Sequence, residues 1–215
     1  MKLYGYFRSS CSYRVRIALN FKGISYDQVP VNLLKNDQHL PAQLKRNPQG
    51  LVPSIEYKGK ILSQSLAIIE YLEEVFPSPS LLPNQPLERA EVRSISQIIA
   101  CDTQPVQNLR VLKYVVNELH NNHQERQKWG RHFIELGFDA LESRMRQTAG
   151  TYAYGGHFSL IDVCLVPQVY NALRFNLNLE EYPVIKRVYQ NCLKLPAVDN
   201  ARPEAQEDCP EELKS

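Results

Sequence analysis

The stretch Leu3-Tyr4-Gly5-Tyr6-Phe7-Arg8-Ser9-Ser10-Cys11-Ser12-Tyr13-Arg14-Val15-Arg16-Ile17-Ala18-Leu19-Asn20-Phe21 contains a strand, a turn and a helix in succession. Leu3 to Phe7 is short and rich in aromatics, which suits a half-buried strand. From Cys11 the pattern changes: Val15, Ile17, Ala18, Leu19 and Phe21 accompany Arg14 and Arg16 on a helix that Gly23 ends. Outward from this β-α step, Tyr26 to Leu33 predicts a second strand, and Gln38 to Lys45 a weak helix interrupted early by Pro41. Leu51 to Tyr57, the Lys58-Gly59 turn and Lys60 to Leu62 predict an antiparallel hairpin, and Ser65 to Phe76 an amphipathic helix with Leu66, Ile68, Ile69, Leu72 and Val75 on its apolar face. The order β-α-β-α-β-β-α specifies a small mixed α/β sheet with helices on its faces.

Pro77, Pro79, Pro83 and Pro86 cannot all occupy helix interiors, so a linker and a domain boundary are expected there. Beyond it helical patterns run at Leu87 to Glu118, Glu125 to Thr148, Leu160 to Phe175 and Val184 to Leu195, giving an α/β domain at 1–80 and an all-α domain at 87–215. Trp129, Phe133, Leu136, Ala140 and Leu141 are expected in the helical core, and Ser159-Leu160-Ile161-Asp162 reads as a capping box. From about residue 199 the chain is polar and acidic, with Pro203 and Pro210, and is expected to be a loosely held tail.

Of the 215 residues, 43% are hydrophobic and 22% charged, with 25 Lys and Arg against 23 Asp and Glu. A disordered, collagenous or nucleic-acid-coating chain does not have this composition. No apolar run reaches the roughly 18 residues a bilayer requires, and the first residues are too polar for a signal peptide. A cytoplasmic protein with no membrane partner is expected. Up to Ser80 ten basic residues face six acidic ones, so anionic ligands favour that side. The five cysteines, Cys11, Cys101, Cys164, Cys192 and Cys209, never form a Cys-x-x-Cys pair, so any that matters works as a free thiol. Cys101, Cys164 and Cys192 are expected as apolar packing residues and Cys209 as an oxidisable tail thiol. His120 and His123 have no third ligand nearby, and no metal is expected.

At Arg8 to Arg14, hydroxyls, a thiol and cations converge where the first strand feeds the first helix, beyond a strand C-terminus where open α/β sheets place ligands. A helix N-terminus favours an anion such as a thiolate. Lowering a thiol pKa from about 8.5 to about 6.5 takes about 2.7 kcal/mol, and a helix terminus supplies only about 0.3–1 kcal/mol. A serine hydroxyl donating to the charged sulfur adds about 1.5–3 kcal/mol, which closes the gap. Plainer roles compete: Ser9 or Ser10 as a helix cap, Cys11 as a small buried hydrophobe, Arg14 and Arg16 as a solvated face. Val52-Pro53 offers an extended edge, by strand addition, to a peptide, and Ser63-Gln64-Ser65 a helix start suited to a carboxylate, though an ordinary edge strand and a plain cap give the same patterns.

Ser9-Ser10-Cys11-Ser12-Tyr13-Arg14-Val15-Arg16-Ile17-Ala18-Leu19, Val52-Pro53 and Gln64-Ser65-Leu66-Ala67-Ile68-Ile69-Glu70-Tyr71-Leu72 resemble the zeta class of glutathione transferases. The likeness extends to Gln104-Pro105-Val106-Gln107-Asn108-Leu109 and Leu165-Val166-Pro167-Gln168-Val169, and so spans nearly the whole chain. The serine-serine-cysteine run followed by Arg-Val-Arg is its most specific part. Tyr13 departs from it, since relatives often carry tryptophan there. The resemblance implies a thioredoxin-like α/β domain followed by an all-α domain, a homodimer, and glutathione as cofactor. It implies further that Val52, beside a cis Pro53, pairs with the glutathione backbone, that Gln64 and Ser65 hold its γ-glutamyl carboxylate and that Gln49 touches its glycyl end. Gln104 and Asn108 would approach from the helical domain or across an interface, and the sulfur would face Ser9, Ser10 and Cys11.

The activity so implied is reversible thiolate addition that isomerises maleylacetoacetate to fumarylacetoacetate, a step of tyrosine and phenylalanine catabolism. Arg8, Arg110 and Arg174 are the expected partners of the carboxylates of this small dicarboxylate keto acid. Maleylpyruvate and small α-haloacids are alternative substrates. Arg14 stands where a resolving cysteine would be, so only monothiol exchange survives of a redox role. A non-catalytic interaction module would lack the intact motif.

Overall fold

The computed structural model describes residues 1–119 and 122–214. The chain divides into two compact units, Met1–Ser80 with the segment from Lys194 onward, and Leu81–Leu193. In the first, β1 (Lys2–Gly5) pairs parallel with β2 (Asp27–Pro30) and antiparallel with β3 (Ser54–Tyr57), which pairs antiparallel with β4 (Lys60–Ser63). The strand order is β2-β1-β3-β4, with α1 (Ser10–Phe21), α2 (Pro41–Arg46) and α3 (Ser65–Val75) placed in the chain as the sequence predicts. This is the thioredoxin-like arrangement. β1 ends before Phe7 because the Tyr6 N–H donates to Ser12 Oγ at 3.3 Å and the Tyr6 carbonyl accepts from the Ser9 N–H at 3.0 Å, which takes the chain out of the ladder. Lys58 and Gly59 both have positive φ, 49° and 74°, as a two-residue hairpin turn with the right twist requires. Pro41 begins α2 rather than interrupting it, since the first helical position needs no N–H; Asp37–His39 forms a separate 3₁₀ turn.

The C-terminal segment differs most from expectation. It belongs to the α/β unit, not to the helical one, and it is not loose. α9 (Pro196–Asp199) packs against α1, the Ala201 carbonyl accepts from Arg16 Nε at 2.9 Å, and Asp208 accepts from the Phe7 N–H and from Gln28 Nε2, both at 2.9 Å. Cys209 is only 4% exposed, packed with Tyr6 and Phe7, so it is a core residue and not an oxidisable tail thiol. Composition misleads here because a few anchoring groups hold a polar stretch.

In the second unit the expected helix over Leu87 to Glu118 is broken. It comprises α4 (Pro86–Gln97), a wider π-type stretch (Ile98–Thr103), a 3₁₀ turn (Pro105–Gln107) and α5 (Leu109–Asn117). Pro105 cannot continue the helical ladder, and Asn108 starts a new helix by accepting the Val111 N–H at 3.1 Å. α6 (His123–Thr148) buries Gly130, Ile134, Phe138, Leu141 and Met145. Of the residues expected in the core, Leu141 is fully buried and Trp129 and Phe133 are half-buried, but Leu136 is 54% exposed and Ala140 is exposed, whereas Gly130 lies where a Cβ would come within 2.1 Å of the Phe175 ring. A buried glycine leaves no hydrophobic signal. Cys164 and Cys192 are buried as expected, but Cys101 is exposed in the π-type stretch.

α7 (Leu160–Arg174) and α8 (Pro183–Cys192) complete this unit. Asp162 accepts from the Ser159 N–H at 2.8 Å, the Ser159 hydroxyl at 2.9 Å and the Ala153 N–H at 2.9 Å, so it both caps α7 and fastens the loop before it. Burial pushes its carboxyl up to about 6, opposed by those donors. Asp162→Ala leaves two buried N–H groups unmade, and should lower stability by about 2–4 kcal/mol, read as a loss of urea midpoint with an unchanged slope. A loss below about 0.5 kcal/mol would show that the box is dispensable.

Candidate functional site

The α/β unit collects the strand-to-helix candidates around the start of α1. Ser9 is its N-cap, with Oγ accepting the Ser12 N–H at 3.2 Å, while Ser10 is the first helical residue and Cys11 the second. The capping role therefore falls to Ser9 and leaves the Ser10 hydroxyl outside the cap. Arg14 and Arg16 are not a solvated face: they are 1% and 0% exposed. Arg16 donates to the carbonyls of Ala201 at 2.9 Å, Phe7 at 2.7 Å and Tyr6 at 3.5 Å, and burial lowers its guanidinium to about 10, still cationic at neutral pH. Phe7 is thus held by its carbonyl from Arg16 and by its N–H from Asp208. Arg8 is half-buried, with its guanidinium 5.5 Å from the Phe7 ring centroid.

Arg14 Nη1 lies 3.2 Å from Ser65 Oγ and 3.7 Å from Cys11 Sγ, so the thiol at the start of α1 and the hydroxyl at the start of α3 share one guanidinium. Gln64 precedes α3 with φ +72°, a left-handed conformation costly for a side chain with a Cβ. It supplies no side-chain cap, so the α3 N-terminus keeps unfilled donors. Its Nε2 donates to Gln49 Oε1 at 2.8 Å. Gln49 is carried on a turn that Asn47 organises, accepting from the Gln49 N–H at 3.2 Å and donating to the Leu51 carbonyl at 3.0 Å. The Val52–Pro53 bond is cis, and Val52 stands two residues before the buried start of β3; among the described residues no hydrogen bond uses its N–H or C=O.

The helical unit holds the other candidates. Asn108 caps α5, Arg110 is exposed in its first turn, and Gln104 closes the π-type stretch with its N–H on the Ile99 carbonyl at 2.9 Å. Arg174, the last residue of α7, donates to Asn171 Oδ1 at 3.1 Å, and Asn171 Nδ2 donates to Gln107 Oε1. Arg174 is therefore tied to the turn that precedes Asn108, whereas Arg110 has no part in that chain of bonds. Sequence reasoning missed Asn171, Gln107 and Asp208; Gln107 stands inside a quoted motif, but nothing local marks the other two. His120 lies outside the described residues, and among the described residues no group of three or more metal-ligating side chains is present.

Residues 3–80 match the family model described as "Glutathione S-transferase, N-terminal domain". The chain is 47% identical to the maleylacetoacetate isomerase of Mus musculus over 215 residues, covering 99% of this chain and 97% of the mouse one. Among solved structures, it is similar to a holo maleylpyruvate isomerase described as a bacterial zeta-class glutathione S-transferase, with TM-score 0.96, 40% identity and coverage of 98% and 100%. It is also similar to a maleylacetoacetate isomerase of Methylobacterium extorquens AM1 solved with malonate and GSH, with TM-score 0.94, 38% identity and coverage of 98% and 100%. The chain belongs to the zeta class of the glutathione transferase family.

The strain at Gln64 gives a prediction with two signs. Gln64→Gly should stabilise the fold by up to about 1 kcal/mol in chemical denaturation while weakening glutathione binding, because glycine adopts φ +72° freely but brings no amide. A destabilised variant with unchanged glutathione affinity would contradict both halves.

Proposed function

We propose that this protein is a glutathione-dependent isomerase that converts maleylacetoacetate to fumarylacetoacetate, a step of tyrosine and phenylalanine catabolism. The supporting observation is that Cys11, at the start of α1 beside Ser9 and Ser10, and Ser65, at the start of α3, share the Arg14 guanidinium, in a chain similar over its whole length to maleylacetoacetate isomerases. In this reading glutathione lies along Val52, with its γ-glutamyl carboxylate at Gln64 and Ser65, its glycyl end near Gln49 and its sulfur at Ser9, Ser10 and Cys11. The start of α1 and the serine hydroxyls favour the thiolate. Gln104 and Asn108 are proposed as further glutathione contacts.

The chemistry follows from what a cis double bond needs in order to turn. The thiolate adds to one alkene carbon, the new C–S bond takes the π electrons out of the alkene, and they come to rest as an enolate on the adjacent keto group. Rotation then occurs about a single bond. Collapse of the enolate expels the thiolate and restores the double bond in its trans form, so glutathione is not consumed. Fixed cations stabilise the enolate more than the ground state. Those proposed for it and for the two carboxylates are Arg8, Arg110 and Arg174, each able to hold a carboxylate bidentately.

Among the described residues no helix is long and apolar enough to cross a membrane. We read the protein as a cytoplasmic homodimer, which light scattering of the purified chain tests. Maleylpyruvate is the second reading for substrate, because two similar solved structures are maleylpyruvate isomerases.

The deciding assay gives the purified protein glutathione and each maleyl keto acid. The expected result is loss of the cis acid, appearance of the trans acid and constant glutathione, faster with maleylacetoacetate. No isomerisation of either acid would sink the reading. Cys11→Ala should retain measurable activity, whereas Ser9→Ala and Ser10→Ala combined should lower kcat about 10- to 100-fold. Undiminished turnover in the double variant would remove the serines from thiol activation. Arg174→Ala should raise KM for the keto acid about tenfold or more with glutathione affinity unchanged, and an unaltered KM would exclude it from carboxylate binding.

A further inference from the structure

The two buried arginines of α1 are in opposite situations. Arg16 has three carbonyl partners and is fully engaged in holding the chain. Arg14, also closed to solvent, gives only Nη1 to protein groups; its Nε and Nη2 have no hydrogen-bond partner among the described residues. A guanidinium in that position without a carboxylate is costly, and an anion brought near it is correspondingly favoured.

A guanidinium has only donors, so in the 3.2 Å contact Ser65 Oγ accepts, and in the 3.7 Å contact Cys11 Sγ accepts. Accepting from Arg14 turns each group's own proton away from the guanidinium. We propose that Arg14 is the positioning residue of the glutathione site: by filling the acceptor side of Ser65 and Cys11, it commits the hydroxyl proton to the γ-glutamyl carboxylate and the thiol proton to the glutathione sulfur. This inference rests on the functional reading above. It makes one buried cation responsible for both ends of the site, binding at the carboxylate and acidity at the sulfur. Lysine does not substitute for it, because a compact ammonium on a flexible stem does not hold both acceptors in one fixed fork.

The test measures glutathione affinity by calorimetry and the acidity of the bound thiol by its ultraviolet thiolate absorbance against pH. Arg14→Gln should weaken glutathione about 10- to 100-fold and move the bound-thiol midpoint upward. Combined with Ser65→Ala it should lose less affinity than the two single losses multiplied, since both act on one contact. Arg14→Lys, which keeps the buried charge, carries the same readings if the glutamine variant does not fold, and should show the same two defects in reduced size. A packing role alone would lower the melting temperature and leave the thiol midpoint and the coupling unmoved. A folded Arg14 variant with wild-type affinity and midpoint, or fully independent losses with Ser65→Ala, overturns the assignment while leaving the isomerase reading intact. Failure of the wild-type protein to bind glutathione overturns both.

Discussion

Arg16 Nη2 donates to the Phe7 carbonyl at 2.7 Å from a position with no solvent exposure, and the geometry of the α/β unit's site depends on that bond. The residues that follow Phe7 are the ones proposed to carry the chemistry. A loop between a strand and a helix is ordinarily the mobile part of such a unit. Here its peptide groups are fixed on both sides, the carbonyls of Tyr6 and Phe7 by Arg16 and the Phe7 N–H by Asp208. A buried guanidinium suits this task because it offers several donors in a rigid fork and stays charged, even with burial lowering it to about 10.

The same logic explains why the C-terminal segment returns to the α/β unit. Ala201 supplies Arg16 with its third carbonyl, Asp208 binds Phe7 and Gln28, and Cys209 fills the apolar space against Tyr6 and Phe7, with Val52 packed beside it. One polar stretch thus supports both the thiol end of the site and the residue proposed to pair with the peptide backbone.

The order of strands and helices in the first eighty residues was legible because each element carries its own period and its own punctuation: Gly23 after α1, Lys58-Gly59 in the hairpin, the prolines before α4. The candidate residues of α1 and α3 were legible because Ser9, Ser10, Cys11 and Ser65 sit at helix starts, where the physics of unpaired N–H groups is local. What failed to show was non-local or negative. A tail of acidic residues gave no sign that Asp208 reaches Phe7. The buried face of α6 hides behind two glycines, Gly130 and Gly137, whose value is the absence of a side chain. A solvated face was the plainer reading of Arg14 and Arg16 because charge is usually exposed, and only the tertiary structure shows both buried, Arg16 with three carbonyl partners and Arg14 with Nε and Nη2 unpartnered among the described residues. The strained Gln64 has no sequence signal at all, since nothing about a glutamine predicts a positive φ.

In the function proposed here, the start of α1 makes a borrowed thiol acidic and the protein uses it as a nucleophile. It is tested most directly by titrating the ultraviolet thiolate band of glutathione bound to the wild-type protein beside free glutathione in the same buffer. The account predicts a midpoint at least about one pH unit lower in the complex, the equivalent of about 1.4 kcal/mol of stabilisation of the charged sulfur. Coincident titration curves for bound and free glutathione would contradict it.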